Sequence, residues 1–168
     1  MSNNIVLPAL ISLAQYGGDY GSFIDEVYKI FEKDFVFSKP TFRGKRLGLK
    51  RHPEYQGRAY TFYHMTHSGK KEDERTPDLR RCERIGWAKP SINNCDNWTL
   101  KIWPQVRNGH NRICIWLERP DEPDYMVILD DRQEYILPWT AFVIERPHEK
   151  RKKEKEYLES IRMQKPPN

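Results

Sequence analysis

The sequence predicts an α+β fold, in which N-terminal helices and a C-terminal helix pack on a four- to five-stranded, mainly antiparallel sheet. Helical periodicity is confined to the two ends of the chain, whereas the second half consists of short alternating segments separated by turn residues. The connections between these segments are too short for the crossover helix that a parallel pair of strands needs. The 168 residues fit one domain, which we place at residues 1–163 with a tail at 164–168. Within it we expect a helical part at 1–37, a basic loop at 38–59, and the sheet with its C-terminal helix at 60–163.

Two helices are predicted before the basic loop. Pro8–Tyr16 starts with a proline, which suits a first helical position, and is followed by two glycines that suit a helix end. The second helix has Ser22 as its expected N-cap and is expected to end near Asp34, before an extended Phe35–Phe37. Its apolar face consists of residues at helical spacing, namely Phe23, Val27, Ile30 and Phe31.

The middle of the chain is predicted to contain one strand and one short helix. Tyr60–Thr66 is rich in aromatic residues and threonine, which favours a strand. Alternation along that strand puts His64 and His67 on opposite faces, so we expect no shared metal ion. A helical turn over Asp78–Ile85 is expected to begin with Thr76 as its cap.

The second half is predicted to form a meander that ends in a helix. Asn108-Gly109 is a hairpin turn signal, and Asp130-Asp131 is expected to form a later turn. The helix Pro147–Met163 is inferred from its Lys- and Glu-rich composition. The predicted strands are Trp98–Trp103, Arg112–Glu118, Tyr125–Leu129 and Tyr135–Ile144.

The positive charge of the chain is concentrated in one segment. Lys39–Arg51 holds six basic residues and no acidic residue, whereas Glu118–Glu134 is strongly acidic. A concentrated basic segment is typical of proteins that bind polyanions, although a solvated loop has the same composition. The residues of this segment that we expect to contact nucleic acid are Arg43, Lys45, Arg46, Lys50 and Arg51.

Several classes of protein are excluded or disfavoured by the sequence. It contains no phosphate-binding loop, dinucleotide fingerprint, HExxH or CxxC motif, and Cys82, Cys95 and Cys114 lack metal-ligand spacing. We therefore predict no metal and no cofactor; the carboxylate pair Asp130-Asp131 is only a weak signal for magnesium. No apolar run approaches the ~18 residues of a membrane span. Three scattered cysteines favour a reducing cytoplasm, and an N-terminus without a basic region disfavours a secretory signal.

The remaining residue types suit metal-free RNA cleavage, which needs a base, an acid and cations around the phosphate. His64 is the main candidate for proton transfer, and a partly buried structural histidine is the alternative. Arg80, Arg81 and Arg84 lie on two helical turns, so a phosphate could bridge Arg80 and Arg84 at i and i+4. Neutralisation of these arginines by neighbouring carboxylates is the alternative.

The late strands offer further candidates. Lys101 shares a strand face with Trp103, so an open or cleft-facing surface is implied there. Trp103 could stack on a base or pack in the core. Tyr135 and Thr140 belong to a dense cluster in which the Thr140 hydroxyl can hydrogen-bond a phosphate. Alternation places Arg132 and Thr140 on the same face only if Pro138 introduces no bulge into the strand.

Three stretches of the chain resemble phage and prophage proteins of the barnase–EndoU–colicin–RelE-like nuclease superfamily. They are Phe62–Thr66, the Arg-rich turn Asp78–Ile85 and Tyr135–Phe142, which is followed by Pro147-His148 and a charged helix. The resemblance spans most of the chain, roughly residues 35–160. It implies a small α+β fold and metal-independent ribonuclease activity, often in a toxin or a host-takeover factor.

The resemblance also implies roles for individual residues. A histidine on an early strand and a threonine, serine or tyrosine late in the sheet contribute to catalysis in that superfamily, and the matching positions here are His64 and Thr140. Arg81, Arg84 and Lys101 match as phosphate ligands, while no unambiguous pair of base and acid can be placed.

These observations lead to one hypothesis and two alternatives. The hypothesis is a cytoplasmic, metal-independent endoribonuclease of phage or prophage origin that leaves a 2′,3′-cyclic phosphate, with RNA as its partner and an antitoxin as a further one. The first alternative is a non-catalytic nucleic-acid-binding protein. The second is an inhibitor of a host protein that uses the acidic Glu118–Glu134 surface.

Overall fold

A computed structural model of the chain describes residues 4–164. The α-helices in this part of the chain are α1 (Tyr20–Phe31), α2 (Tyr60–Thr66), α3 (Leu79–Glu83), α4 (Ala88–Asn93) and α5 (Pro147–Gln164). The short strands are β1 (Thr41–Phe42), β2 (Lys45–Arg46), β3 (His67–Ser68) and β4 (Thr76–Pro77). The long strands are β5 (Lys101–Arg107), β6 (His110–Leu117), β7 (Asp124–Asp131) and β8 (Ile136–Ile144).

The four long strands form one antiparallel sheet in sequence order, β5-β6-β7-β8. The predicted α+β class and antiparallel meander are therefore confirmed. Asn108 and Gly109 form the β5–β6 turn with φ values of 51° and 76°, the left-handed conformation that tight hairpins require. The predicted turn at Asp130-Asp131 is wrong, because both residues extend β7 and the chain reverses after them, where the Arg132 N–H bonds the Tyr135 carbonyl.

The two faces of the sheet carry different layers. One face packs against α1, α2 and α4 and forms the main core, with members such as Phe23, Phe62, Ile92, Ile115 and Val127. The other face is partly covered by α5, whose Tyr157 packs against a second cluster that includes Trp103, Trp116 and Met126. The part of this second face that α5 leaves uncovered lies toward the β5–β6 turn.

The N-terminal helices differ from the prediction. Only Leu13–Tyr16 of the first predicted helix is helical, as one 3₁₀ turn. The N-cap of α1 is Asp19 rather than Ser22, because the Asp19 carboxylate accepts the N–H of Ser22. Beyond α1 the chain continues as a π-helix over Glu32–Phe37 instead of extending, which keeps the Phe35 ring stacked on Phe31 with centroids 5.3 Å apart.

The predicted strand Tyr60–Thr66 is wrong, because this segment forms helix α2. Its N-terminus is fixed by neighbouring backbone, since the Tyr60 and Thr61 N–H groups donate to the carbonyls of Arg51 and Lys50. Phe62 and Met65 enter the core on one side of the helix. Tertiary contacts therefore override the β propensity of the aromatic residues.

The later elements follow the prediction more closely. Asp78, not Thr76, caps α3, and Thr76-Pro77 instead pairs with His67-Ser68 as β4. Trp98 precedes the sheet, since β5 starts at Lys101. The predicted C-terminal helix exists as α5, which also includes Gln164, the first residue of the predicted tail. The rest of that tail, residues 165–168, lies outside the described residues. In the described part of the chain, no helix is both long and apolar enough to cross a membrane.

Candidate functional site

A cleft of about 340 Å³ opens on the uncovered part of the second sheet face. Its floor comes from all four long strands, and its walls come from α2, α3 and the segment that links β3 to β4. The lining residues are His64, Gly69, Glu72, Arg75, Arg81, Gln105, Arg107, Asn108, Arg112, Ile128, Trp139, Thr140 and Phe142. Sequence-distant polar side chains thus meet at one place.

A β-bulge in β8 shapes the floor of the cleft. Ile128 pairs with Thr140 and Leu129 pairs with Pro138, so Trp139 has no partner on β7. A bulge re-aims the side chains around it. As a result Trp139 and Thr140, consecutive in sequence, both line the cleft.

The centre of the cleft is a pair formed by His64 and Glu72. The His64 Nε2 atom lies 2.9 Å from both carboxylate oxygens of Glu72, and the Tyr60 hydroxyl donates to the same carboxylate at 2.8 Å. The His64 side chain is only 6% exposed, whereas that of Glu72 is 52% exposed. Glu72 is therefore the member of the pair that a bound molecule can reach.

The protonation states of the pair follow from its surroundings. Burial lowers the pKa of His64, and although the hydrogen bond to Glu72 opposes this effect, the pKa remains below its ordinary value. Burial acts to raise the pKa of Glu72, but the hydrogen bonds from Tyr60 and His64 bring it below its ordinary value. At neutral pH the pair is thus an ionised carboxylate and a neutral imidazole whose Nε2–H donates to it. The buried Nδ1 atom of His64 makes no hydrogen bond within the described residues.

Thr140 and Arg81 connect helix α2 to the sheet. The Thr140 hydroxyl donates to the His64 carbonyl at 3.3 Å and accepts from Arg81 Nη1 at 3.0 Å. Arg81 Nη1 also donates to the carbonyl of His67 at 3.0 Å. These carbonyls belong to the C-terminal end of α2, where no intrahelical donor is available. Both side chains therefore hold His64 in place.

Three other guanidinium groups line the cleft. Arg75 donates to the carbonyls of His67 and Gly69, and Arg107 is exposed; among the described residues neither has a carboxylate within 4.0 Å. Arg112 forms a buried ion pair with Asp130 and lies 4.2 Å from the centroid of the Trp139 ring. The indole is thereby held between Arg112 and the His64 ring, whose centroid is 4.5 Å away.

Several predicted site residues lie outside the cleft. Arg84 is buried, donates to the Arg80 carbonyl and packs on Trp87. Lys101 forms ion pairs with Glu118 at 3.1 Å and Glu154 at 2.8 Å under α5. Trp103 is buried in the second cluster, and Tyr135 is exposed just before β8. The structure thus brings together His64, Thr140 and Arg81 but not these four.

The basic segment is divided between two regions. Lys50 lies next to the cleft, with its ammonium 4.2 Å from the centroid of Tyr60, and the adjacent Arg51 is exposed. Arg43 is paired with Asp96 beyond α4, and the exposed Lys45 and Arg46 belong to the same β1–β2 hairpin. Outside this segment, Arg80 pairs with Glu145 at 2.7 Å.

The residues that complete the cleft were not predicted from the sequence: Glu72, Arg75, Arg107 and Arg112. The helical period of Tyr60, Tyr63, His64 and His67, at i, i+3, i+4 and i+7, was a signal that this segment could be a helix. His64 lies in helix α2, which ends at Thr66, and His67 is the first residue of β3, so the two are not on one strand. The alternation argument against a shared metal ion was therefore wrong. In residues 4–164 no group of three or more potential ligands lies close enough to hold a metal ion.

Comparison of the chain with protein-family models, with curated proteins and with solved structures gives no match.

Proposed function

We propose that this protein is a metal-independent endoribonuclease and that the cleft is its active site. The observation that carries the proposal is the ionised Glu72, which is accessible, held by two hydrogen-bond donors and surrounded by arginines. Cleavage of RNA by its own 2′-hydroxyl needs a positioned base and cations around the phosphate, and no metal ion. The resemblance of Phe62–Thr66, Asp78–Ile85 and Tyr135–Phe142 to the barnase–EndoU–colicin–RelE-like nucleases implies the same activity.

Glu72 is assigned as the general base. Its carboxylate accepts the proton of the ribose 2′-hydroxyl, and the freed oxygen attacks the adjacent phosphorus. The bond to the 5′-oxygen of the next nucleotide breaks, and this oxygen takes a proton from water to leave as a hydroxyl. His64 and Tyr60 act as positioning residues, since both donate to the carboxylate and fix its direction. The product strand ends in a 2′,3′-cyclic phosphate.

The arginines are assigned to the phosphate. Arg75 and Arg107 have no carboxylate partner among the described residues, so their charge is available to the phosphate oxygens. Charge builds up on these oxygens during attack, and guanidinium groups held in a partly buried cleft stabilise it. Thr140 and Arg81 maintain the position of α2 rather than touch the substrate.

The proposal is tested with Glu72→Gln, which keeps the shape of the side chain and removes its basicity. We expect purified protein to cleave a labelled RNA in the presence of a chelator, and the variant to be slower by about 10²- to 10⁴-fold. Glu74→Gln is the matched control, because Glu74 lies on the same turn and does not line the cleft. Full activity of Glu72→Gln, or loss of wild-type activity on chelation, contradicts the proposal.

The same experiment separates the enzyme from a protein that only binds. A non-catalytic nucleic-acid-binding protein retains salt-sensitive affinity for RNA yet leaves it intact. Expression in a bacterial cytoplasm adds a second readout, since a toxin-type ribonuclease arrests growth and Glu72→Gln relieves the arrest. Arrest that is equally strong with Glu72→Gln argues instead for inhibition of a host protein.

A further inference from the structure

A second cavity adjoins the cleft and continues it along the surface. It has a volume of about 470 Å³ and lies between α3, the end of β8 and the first turns of α5. Arg81, Arg107 and Phe142 line both cavities. The two cavities therefore form one groove with a common middle.

The second cavity presents cations from separate parts of the chain. Arg107 comes from β5, Arg146 directly precedes α5, and Lys152 lies in the second turn of α5. Among the described residues none of the three has a carboxylate within 4.0 Å. The acidic side chains of the cavity are Asp78, Glu145 and Glu149. Asp78 is paired with Arg81 at 3.3 Å, and Glu145 is paired with Arg80 at 2.7 Å. Among the described lining residues, Glu149 is therefore the one carboxylate whose charge is not neutralised by an ion pair and would repel a bound anion.

The shared middle also carries an apolar surface. The Phe142 ring is half-buried, and the Arg81 guanidinium lies 5.8 Å from its centroid. A partly exposed ring between two cationic cavities fits a strand in which a base lies between successive phosphates. A single phosphate monoester would use only one end of such a groove.

We infer that the second cavity binds the phosphates that flank the reacting one, so the substrate is a single RNA strand of several nucleotides rather than a dinucleotide. This inference rests on the proposed function of the cleft. The reacting phosphate lies beside Glu72, Arg75 and Arg107, the neighbouring base contacts Phe142, and the next phosphates contact Arg146 and Lys152. Affinity is then expected to rise with strand length.

The experiment measures the binding of uncleavable strands. Fully 2′-O-methylated oligouridines of two and eight nucleotides are titrated with the wild type and with the double variant Arg146→Glu/Lys152→Glu. The wild type is expected to bind the longer strand more tightly, and the variant to bind it about as weakly as the dinucleotide. The slope of log affinity against log salt should become shallower by about 0.7 for each phosphate that the variant no longer binds.

The double variant Lys155→Glu/Arg162→Glu is the matched control, because it makes the same charge change on α5 at two residues that line neither cavity. The single variant Arg146→Ala and a thermal melt show that a loss of affinity is not a loss of fold. Equal binding of both lengths by the wild type, equal losses for both lengths, or an equal loss in Lys155→Glu/Arg162→Glu overturns the inference. Cleavage of unmodified RNA is measured in parallel. If the wild type binds longer strands more tightly but does not cleave RNA, only the proposed function is refuted. If the wild type cleaves RNA and the double variant Arg146→Glu/Lys152→Glu binds the longer strand as tightly as the wild type, only the inference is refuted.

Discussion

At the scale of single residues, the site depends on a buried histidine that supports an exposed carboxylate. His64 is fixed on three sides: Glu72 binds its ring, Trp139 lies against the ring, and Thr140 binds its carbonyl. Such a residue acts through its neighbour and does not need to reach the substrate. This assignment differs from the sequence hypothesis, in which the imidazole itself transferred the proton.

The positioning role of His64 predicts different effects for two substitutions. His64→Ala removes the donor to Glu72 and is expected to lower kcat by about 10²-fold with little change in KM. His64→Gln retains an N–H donor and is expected to recover part of the loss. Steady-state cleavage kinetics of both variants provide the check; if His64→Gln is as inactive as His64→Ala while its fold is intact, the imidazole itself takes part in proton transfer.

A second buried histidine predicts how stability changes with pH. Burial lowers the pKa of His67 to about 4, and the positive charge of Arg75 adds to the effect. The unfolded chain therefore binds more protons than the folded one between pH 4 and about 6.5, so this contribution is fully present above that range and is lost as the pH falls through it. The expected loss is about 3 kcal/mol of unfolding free energy.

Urea unfolding at pH 7 and pH 4.5 measures this loss. In His67→Gln the difference between the two pH values should shrink, whereas the same substitution at the exposed His148 should leave it unchanged. A pH dependence that is identical in His67→Gln and the wild type would exclude His67 as its source.

At the scale of elements, short helices are held by partners from elsewhere in the chain. Helix α2 has only seven residues, too few for a stable helix on its own, and its ends are bound by backbone carbonyls, Thr140 and Arg81. Helix α3 is shorter still and begins at the carboxylate of Asp78, which accepts the N–H of Arg81 at 3.3 Å. The site is therefore built on short helices that are stabilised by their contacts with the rest of the fold.

The cap of α3 gives a prediction for stability. Asp78→Ala is expected to lower the unfolding free energy by about 1 kcal/mol, because it removes the N-cap acceptor of the helix. Asp78→Asn should cost less, since asparagine also caps helices but does not pair with Arg81. Urea titrations of both variants measure the difference; equal losses would show that the ion pair, not the cap, supports α3.

At the scale of the whole molecule, local signals predicted the sheet, and non-local packing determined the site. The strands alternate and are joined by turns such as Asn108-Gly109, so the meander could be recognised from neighbours in sequence. The segment Tyr60–Thr66 satisfies both a strand and a helix pattern, and contacts made by other elements select the helix. Glu72 and the arginines of the cleft have no distinguishing local pattern, since only the folded chain brings them together.

Lys101 is a residue whose strand face was predicted correctly from the sequence but whose surroundings were not. The prediction that it shares a face with Trp103 is confirmed by their positions on β5, but that part of the face is covered by α5. Its ammonium lies against Trp116 and Tyr157 and bridges two carboxylates. A covering helix distant in sequence cannot be inferred from the alternation of a strand.

This placement predicts that Lys101 supports structure and not catalysis. Lys101→Met should leave the rate of RNA cleavage unchanged while lowering the unfolding free energy by about 1 kcal/mol, because Glu118 and Glu154 lose their shared cation. Cleavage assays and urea unfolding on the same preparation give both values. A strong loss of cleavage by a fully folded Lys101→Met would place the reacting phosphate elsewhere.

The unpaired Trp139 makes the length of β8 a requirement of the site. Deleting that one residue would leave Pro138 opposite Leu129 and Thr140 opposite Ile128 in regular pairing, so the other side chains of β8 would keep their faces. The apolar interior would remain, while the groove would lose the indole that lies against His64 and Arg112. Substitution can tune this strand, whereas a change in the number of its residues would separate folding from function.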